Sequence, residues 1–95
     1  MEREIAELLN RHANVFRGAN RHGHASIMLS DLRQGYGYRV HEFHDFDAFL
    51  QADTHNMSRT AVCFRDCADV YSPAFRGFLL RARRSDIVVI VTIVE

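Results

Sequence analysis

The sequence predicts an α+β domain: a mixed four-stranded sheet with helices packed on it, in the order α-β-β-α-β-α-β. Three observations carry this expectation. Ile87 to Val94 is an unbroken run of β-branched residues, Ile-Val-Val-Ile-Val-Thr-Ile-Val. Ser72-Pro73 precedes an apolar stripe at helical spacing. The stretch from Arg59 to Val94 has about the length of a right-handed β-α-β crossover.

Each element has its own signal. Over Glu2 to Phe16, the residues Ile5, Leu8, Leu9, His12, Val15 and Phe16 recur with the 3.6-residue helical period. Acids at the start (Glu2, Glu4, Glu7) and Arg11 and Arg17 at the end complement the helix dipole. Arg21 to His24 reads as a loop. Ala25 to Leu32 alternates as a strand, a turn holds Arg33-Gln34-Gly35, and Tyr36 to Phe43 alternates again, which together predict a hairpin. Asp45 is placed to cap a short helix, Phe46 to Asp53, that buries Phe46, Phe49 and Leu50. Thr54 to Ser58 connects it to Arg59 to Arg65, which suits a third strand, although Ala61, Phe64 and Ala68 also repeat at helical spacing and leave a helix as the alternative.

Ser72 is a good N-cap and Pro73 suits the first helical position. Phe75, Phe78, Leu79 and Ala82 then face the core, with Arg81, Arg83 and Arg84 at the helix end. The last strand is apolar on both faces, because successive strand residues point to opposite sides. It is therefore expected in or near the middle of the sheet, covered on both sides. If it lay at an edge instead, pairing across a two-fold axis would give a homodimer.

Composition narrows the function classes. The 95 residues suit a single domain spanning 1–95. A hydrophobic fraction of 47% with seven Phe argues against disorder. Twelve acidic residues balance twelve basic ones, so no overall charge steers the chain to nucleic acid or an anionic membrane. All twelve basic residues are Arg, the side chain that binds carboxylate or phosphate bidentately. No run reaches about 18 apolar residues, and Met1-Glu2-Arg3-Glu4 is unlike a signal peptide, so no membrane partner and a cytoplasmic location are expected. Cys63 and Cys67 then fit reduced thiols.

Four clusters could carry chemistry. His22, His24, His41 and His44, joined by Cys63 and Cys67, are the weak metal candidates; none of their spacings matches a zinc pattern, so no metal or cofactor is assigned. Cys63 reads as a small core residue rather than a nucleophile. Arg39, His41, Glu42, His44, Asp45 and Asp47 form a polar run that could serve acid-base chemistry in a small ribonuclease. Arg76, Arg81, Arg83 and Arg84, with Tyr36 and Tyr38 beside Arg39, could contact nucleic acid, but no helix-turn-helix, RNP, KH or zinc-finger pattern is present.

With no reaction motif, the expected function is a non-catalytic protein-binding module. Tyr36, Tyr38, Arg39, Arg81, Arg83 and Arg84 are the expected partner-binding residues, being of the types enriched at interface hot spots. Its form would be a small intracellular inhibitor that occludes a protein partner, as immunity proteins and phage anti-defence or anti-CRISPR proteins do. The alternative is a nucleic-acid-binding or small RNase-type protein that uses the Arg cluster and His41.

Overall fold

The computed structural model describes residues 2–52 and 57–94, apart from the side chains of Glu2 and Ile5. The β-branched run forms a strand, β4 (Ile87–Ile93), that lies inside a four-stranded sheet. Its neighbours are β1 (Asn14–Arg17) and β3 (Thr60–Arg65), and β2 (Arg39–Phe43) completes the order β1-β4-β3-β2. Val89, Val91 and Ile93 are buried on one face, and Ile90 and Thr92 on the other. The homodimer argued from an edge position of this strand loses its premise.

All three strand pairings are parallel. A parallel pair needs a crossover, and each gap between strands holds a helix. These are α2 (Arg21–Tyr36), α3 (Phe46–Gln51) and α4 (Pro73–Ala82), and α1 (Glu2–His12) precedes β1. From β2 to β3 to β4 the chain steps one strand at a time in one direction. Right-handed crossovers therefore place α3 and α4 on the same face. From β1 to β2 the chain travels back across the full sheet, so the same handedness places α2 on the opposite face.

The core divides accordingly. Leu9, the aromatic cluster of Phe46, Phe49, Phe64, Phe75 and Phe78, and Val62, Val89 and Val91 fill the α1/α3/α4 face. Ala25 and Leu29 of α2 cover Ala61, Cys63 and Ile90 on the other. The expected local signals operate where the sequence places them. Asp45 accepts a hydrogen bond from the Ala48 N–H at 2.7 Å, and Ser72 accepts one from the Phe75 N–H at 3.2 Å.

Three expectations are corrected. The sheet is all parallel, not mixed, and the order is α-β-α-β-α-β-α-β, with a 3-10 turn at Ala68–Tyr71 before α4. The hairpin is absent: its first strand and turn are α2. Ala25, Leu29 and Leu32 sit at i, i+4 and i+7, so the segment fits a helical period as well as an alternating one. Tertiary context chose the helix, because the sheet's second face needs a cover. The first helix stops at His12, and Val15 and Phe16 continue as β1, pairing with Val91 and Thr92.

Leu50, expected in the core, is 55% exposed. Asp53 and most of the Thr54–Ser58 connection lie outside the described residues.

The interior position of β4 predicts the effect of charge there. Val91→Asp should abolish soluble expression, since an unpaired buried charge costs several kcal/mol against a total of about 5–10. Val94→Asp, three residues on and 60% exposed, should express and melt like the parent chain.

Candidate functional site

A parallel sheet with crossover helices has two unlike edges. At the carboxyl ends of the strands, where open α/β sheets commonly bind ligands, a polar network gathers around Asp66. Arg21, in the first turn of α2, donates from Nε and Nη2 to Oδ1 and Oδ2 of Asp66 at 2.8 and 2.9 Å. The Thr92 hydroxyl donates to Oδ1 at 3.0 Å and accepts from the Asp66 N–H at 2.9 Å. His22 Nε2 lies 2.9 Å from Oδ2.

The other ring nitrogen of His22 is 3.1 Å from Arg65 Nη1. Arginine can only donate, so Nδ1 is the acceptor and Nε2 carries the proton toward Asp66. Arg65 also donates to Glu42 at 2.7 Å and to Ser26 at 2.9 Å.

The network is closed on itself. The Arg21 hydrogen bonds, with those from Thr92 and His22, hold the Asp66 carboxyl well below the usual carboxylate range. Both ring nitrogens of His22 are engaged within the network. Asp66 has φ 53°, a left-handed backbone that Asp tolerates better than most residues. The carboxylate, positioned by that turn, ties the start of α2 to the ends of β3 and β4. Parallel pairing and the α2 helix together reveal this cluster. A hairpin reading, which leaves Arg21 and His22 in a loop, conceals it.

The amino-terminal edge is different, and both expected partner-binding clusters fall there. Tyr36 ends α2, Tyr38 precedes β2 and Arg39 begins it, Arg81 lies in the last turn of α4, and Arg83 and Arg84 follow that helix just before β4. Tyr38 donates its hydroxyl to Asp86 at 2.7 Å, which raises its pKa. Arg59, at φ 50°, places its guanidinium 5.9 Å from the Tyr38 ring centre and donates to the Tyr36 carbonyl. Tyr36 itself is 65% exposed.

On the other face of the sheet, beside Arg81 and Asp86, an open groove of about 470 Å³ runs between α3 and α4. Phe49, Leu50, Met57, Phe78 and Ile87 form its apolar floor and Arg81 and Asp86 stand on its rim. Arg83 borders a second hollow with Arg11 and His12 at the end of α1.

The other expected clusters are not assembled. His22 and His24 start α2 on one side of the sheet. His41 lies against Phe43, 6.5 Å between ring centres, on the α3 side. His44 is exposed beyond β2. Among the described residues no group of three or more His, Cys, Asp or Glu could hold a metal ion. Glu42, the acid nearest His41 in sequence, points to the opposite face and is held by Arg65. Cys63 and Cys67 are buried, and burial pushes both thiols up to about 11, which keeps them protonated at neutral pH.

No family model, no curated protein and no solved structure matches this chain.

The Asp66 network gives a pH-dependent expectation. Its folded-state pKa is depressed, so its stabilising contribution is complete above the ordinary carboxylate pKa of about 4 and is lost as pH falls below that. Asp66→Asn keeps the side-chain shape and tolerates the left-handed backbone. It should lower Tm by several degrees at pH 6, at about 4–8 °C per kcal/mol for a domain of this size. Melting curves of parent and variant should converge as the pH falls below about 4.

Proposed function

We propose that this chain is a non-catalytic protein-binding module that engages its partner through the amino-terminal edge of the sheet. The observation that carries this reading is the groove between α3 and α4. It combines an apolar floor, an exposed Leu50, and Arg81 and Asp86 on the rim, with Tyr38 hydrogen-bonded to Asp86. Interface centres have this composition: aromatic and aliphatic anchors surrounded by Arg and Tyr, with rim polar groups excluding water. Leu50 has little structural reason to be apolar at its exposed position. A hydrophobic side chain there gains its free energy only when something covers it.

Occlusion of a protein partner, in the manner of an immunity protein or a phage anti-defence inhibitor, is the form of action proposed for such a domain. What supports a non-catalytic form is that, among the described residues, both nitrogens of His22 are engaged, the two thiols are buried, and no group of three or more His, Cys, Asp or Glu could hold a metal ion.

The test is affinity capture from native cells with the parent chain, Leu50→Asp and Arg76→Glu. Leu50→Asp should change folding stability by no more than about 0.5 kcal/mol, as exposed substitutions do. It should reduce recovery of a specific protein about tenfold, the effect of about 1.4 kcal/mol. Arg76→Glu, on the opposite edge where Arg76 pairs with Glu4, should capture the protein as the parent does. Equal capture by all three would exclude the groove.

A further inference from the structure

The chain's zero net charge conceals a strong polarity. In an all-parallel sheet with crossovers, every helix runs antiparallel to the strands, so all helix C-termini lie at one edge. Each helix that carries basic residues near its C-terminus adds them to that edge. Arg11 ends α1, Arg33 lies in the last turn of α2 and Arg81 in that of α4, and Arg83 and Arg84 follow α4. Arg39 and Arg59 stand at the starts of β2 and β3. Among the described residues, seven arginines thus meet two carboxylates, Asp31 and Asp86, in the half of the molecule around the amino-terminal edge.

The opposite half holds the other five arginines. Among the described side chains it also holds seven carboxylates: Glu4 and Glu7 of α1, Asp45 and Asp47 at the start of α3, and Glu42, Asp66 and Asp69.

Two magnitudes decide whether a partner would feel this polarity. The helix dipoles oppose it, but each contributes only about half a negative charge at its C-terminus, about two in all. The arginine excess of five (seven less two) outweighs that. The edges are separated by the length of the strands, about 20 Å at roughly 3.3 Å per residue. That exceeds the Debye length of about 8 Å in physiological salt. An approaching molecule therefore meets a basic edge, not a neutral protein.

We infer that the partner segment received by the α3/α4 groove is an acidic stretch of protein with an apolar anchor, its carboxylates bound by the arginines of the amino-terminal edge. This rests on the protein-binding reading and names the partner's chemistry. The apolar floor favours a peptide over a polynucleotide. Phe49, Leu50, Met57 and Phe78 can receive a Leu or Phe side chain, whereas phosphate contacts need no such floor. Arginine binds carboxylates in a bidentate way, so one lost contact is read as about a tenfold loss of affinity.

Fluorescence anisotropy tests this with three labelled probes. They are a Glu/Asp-rich peptide with a Leu-Phe anchor, the same peptide with Gln and Asn for the acids, and single-stranded poly-thymidine. The acidic peptide should bind at least about tenfold more tightly than either other probe. Arg83→Glu with Arg84→Glu, and Leu50→Ser, should each weaken it about tenfold. Arg76→Glu should not. Affinity should fall steeply as NaCl rises from about 50 to about 300 mM.

Equal binding of the neutral peptide, no binding of the acidic peptide, or indifference to the double charge reversal would overturn the inference. Tighter binding of poly-thymidine, lost in the same double variant, would overturn it in favour of a nucleic-acid partner. The protein-binding reading is judged separately. If the captured cellular protein is lost with Leu50→Asp but kept with Arg83→Glu and Arg84→Glu, the module binds protein and the acidic partner is wrong. If the parent chain captures no protein, the module reading itself fails.

Discussion

Burial of β4 on both faces is the constraint on which the rest of the structure depends. A strand of Ile, Val and Thr has no polar face to give to water. It needs a strand on each side and a helical layer above and below. The chain meets this with parallel pairing, and parallel pairing requires a crossover between every pair of consecutive strands. The handedness of those crossovers then assigns α3 and α4 to one face and α2 to the other. One strand's composition thus propagates into the whole topology.

The two faces are unequally covered. The α1/α3/α4 face carries the interlocked phenylalanines, with Phe64 and Phe75 edge to face at 5.0 Å between ring centres. The opposite face has α2 alone, whose fully buried apolar contribution is Ala25 and Leu29. A single helix with so small a buried stripe needs other anchoring. The Asp66 network supplies it at the helix start: Arg21 and His22 of α2 are bound to the ends of β3 and β4, and Arg65 reaches Ser26 one turn further on. At the other end, Gly37 in a left-handed conformation closes the helix with its N–H on the Leu32 carbonyl. The polar cluster at the carboxyl edge is therefore accounted for by holding a layer in place.

Legibility in the sequence followed contrast. Where one signal dominated, the element was readable: Pro73–Ala82 with its Ser-Pro start, and the β-branched run at the middle of the sheet. Where two periods fitted equally, the local pattern could not decide. In α2, Ile27 falls on the alternating line of Ala25 and Leu29, yet in the helix it points to solvent at 63% exposure. The misreading of α2 also hid the Asp66 network, because its members are far apart in sequence and meet only if the sheet is parallel. That Tyr36, Tyr38, Arg39, Arg81, Arg83 and Arg84 share the amino-terminal edge was not legible, since it depends on the strand order, and neither was the packing of Tyr38 on the core beneath Arg59.

Overall charge is a poor guide for a parallel α/β chain, and the reason is geometric. Arginine late in a helix and carboxylate early in one each satisfy a local dipole, and neither preference implies anything about the whole molecule. In an antiparallel bundle, alternate helices would point in opposite directions and these charges would mix. Here every helix points the same way, so the local preferences add. At the carboxyl edge Asp66 binds Arg21 and His22, Glu42 binds Arg65 and Glu4 binds Arg76. The amino edge carries Arg81 on the rim of a groove floored by phenylalanine, leucine and methionine, and Arg11 and Arg83 beside a neighbouring hollow. Local helix electrostatics, summed by a parallel topology, thus give a neutral chain one edge whose acids bind arginine and another where arginine is in excess among the described residues.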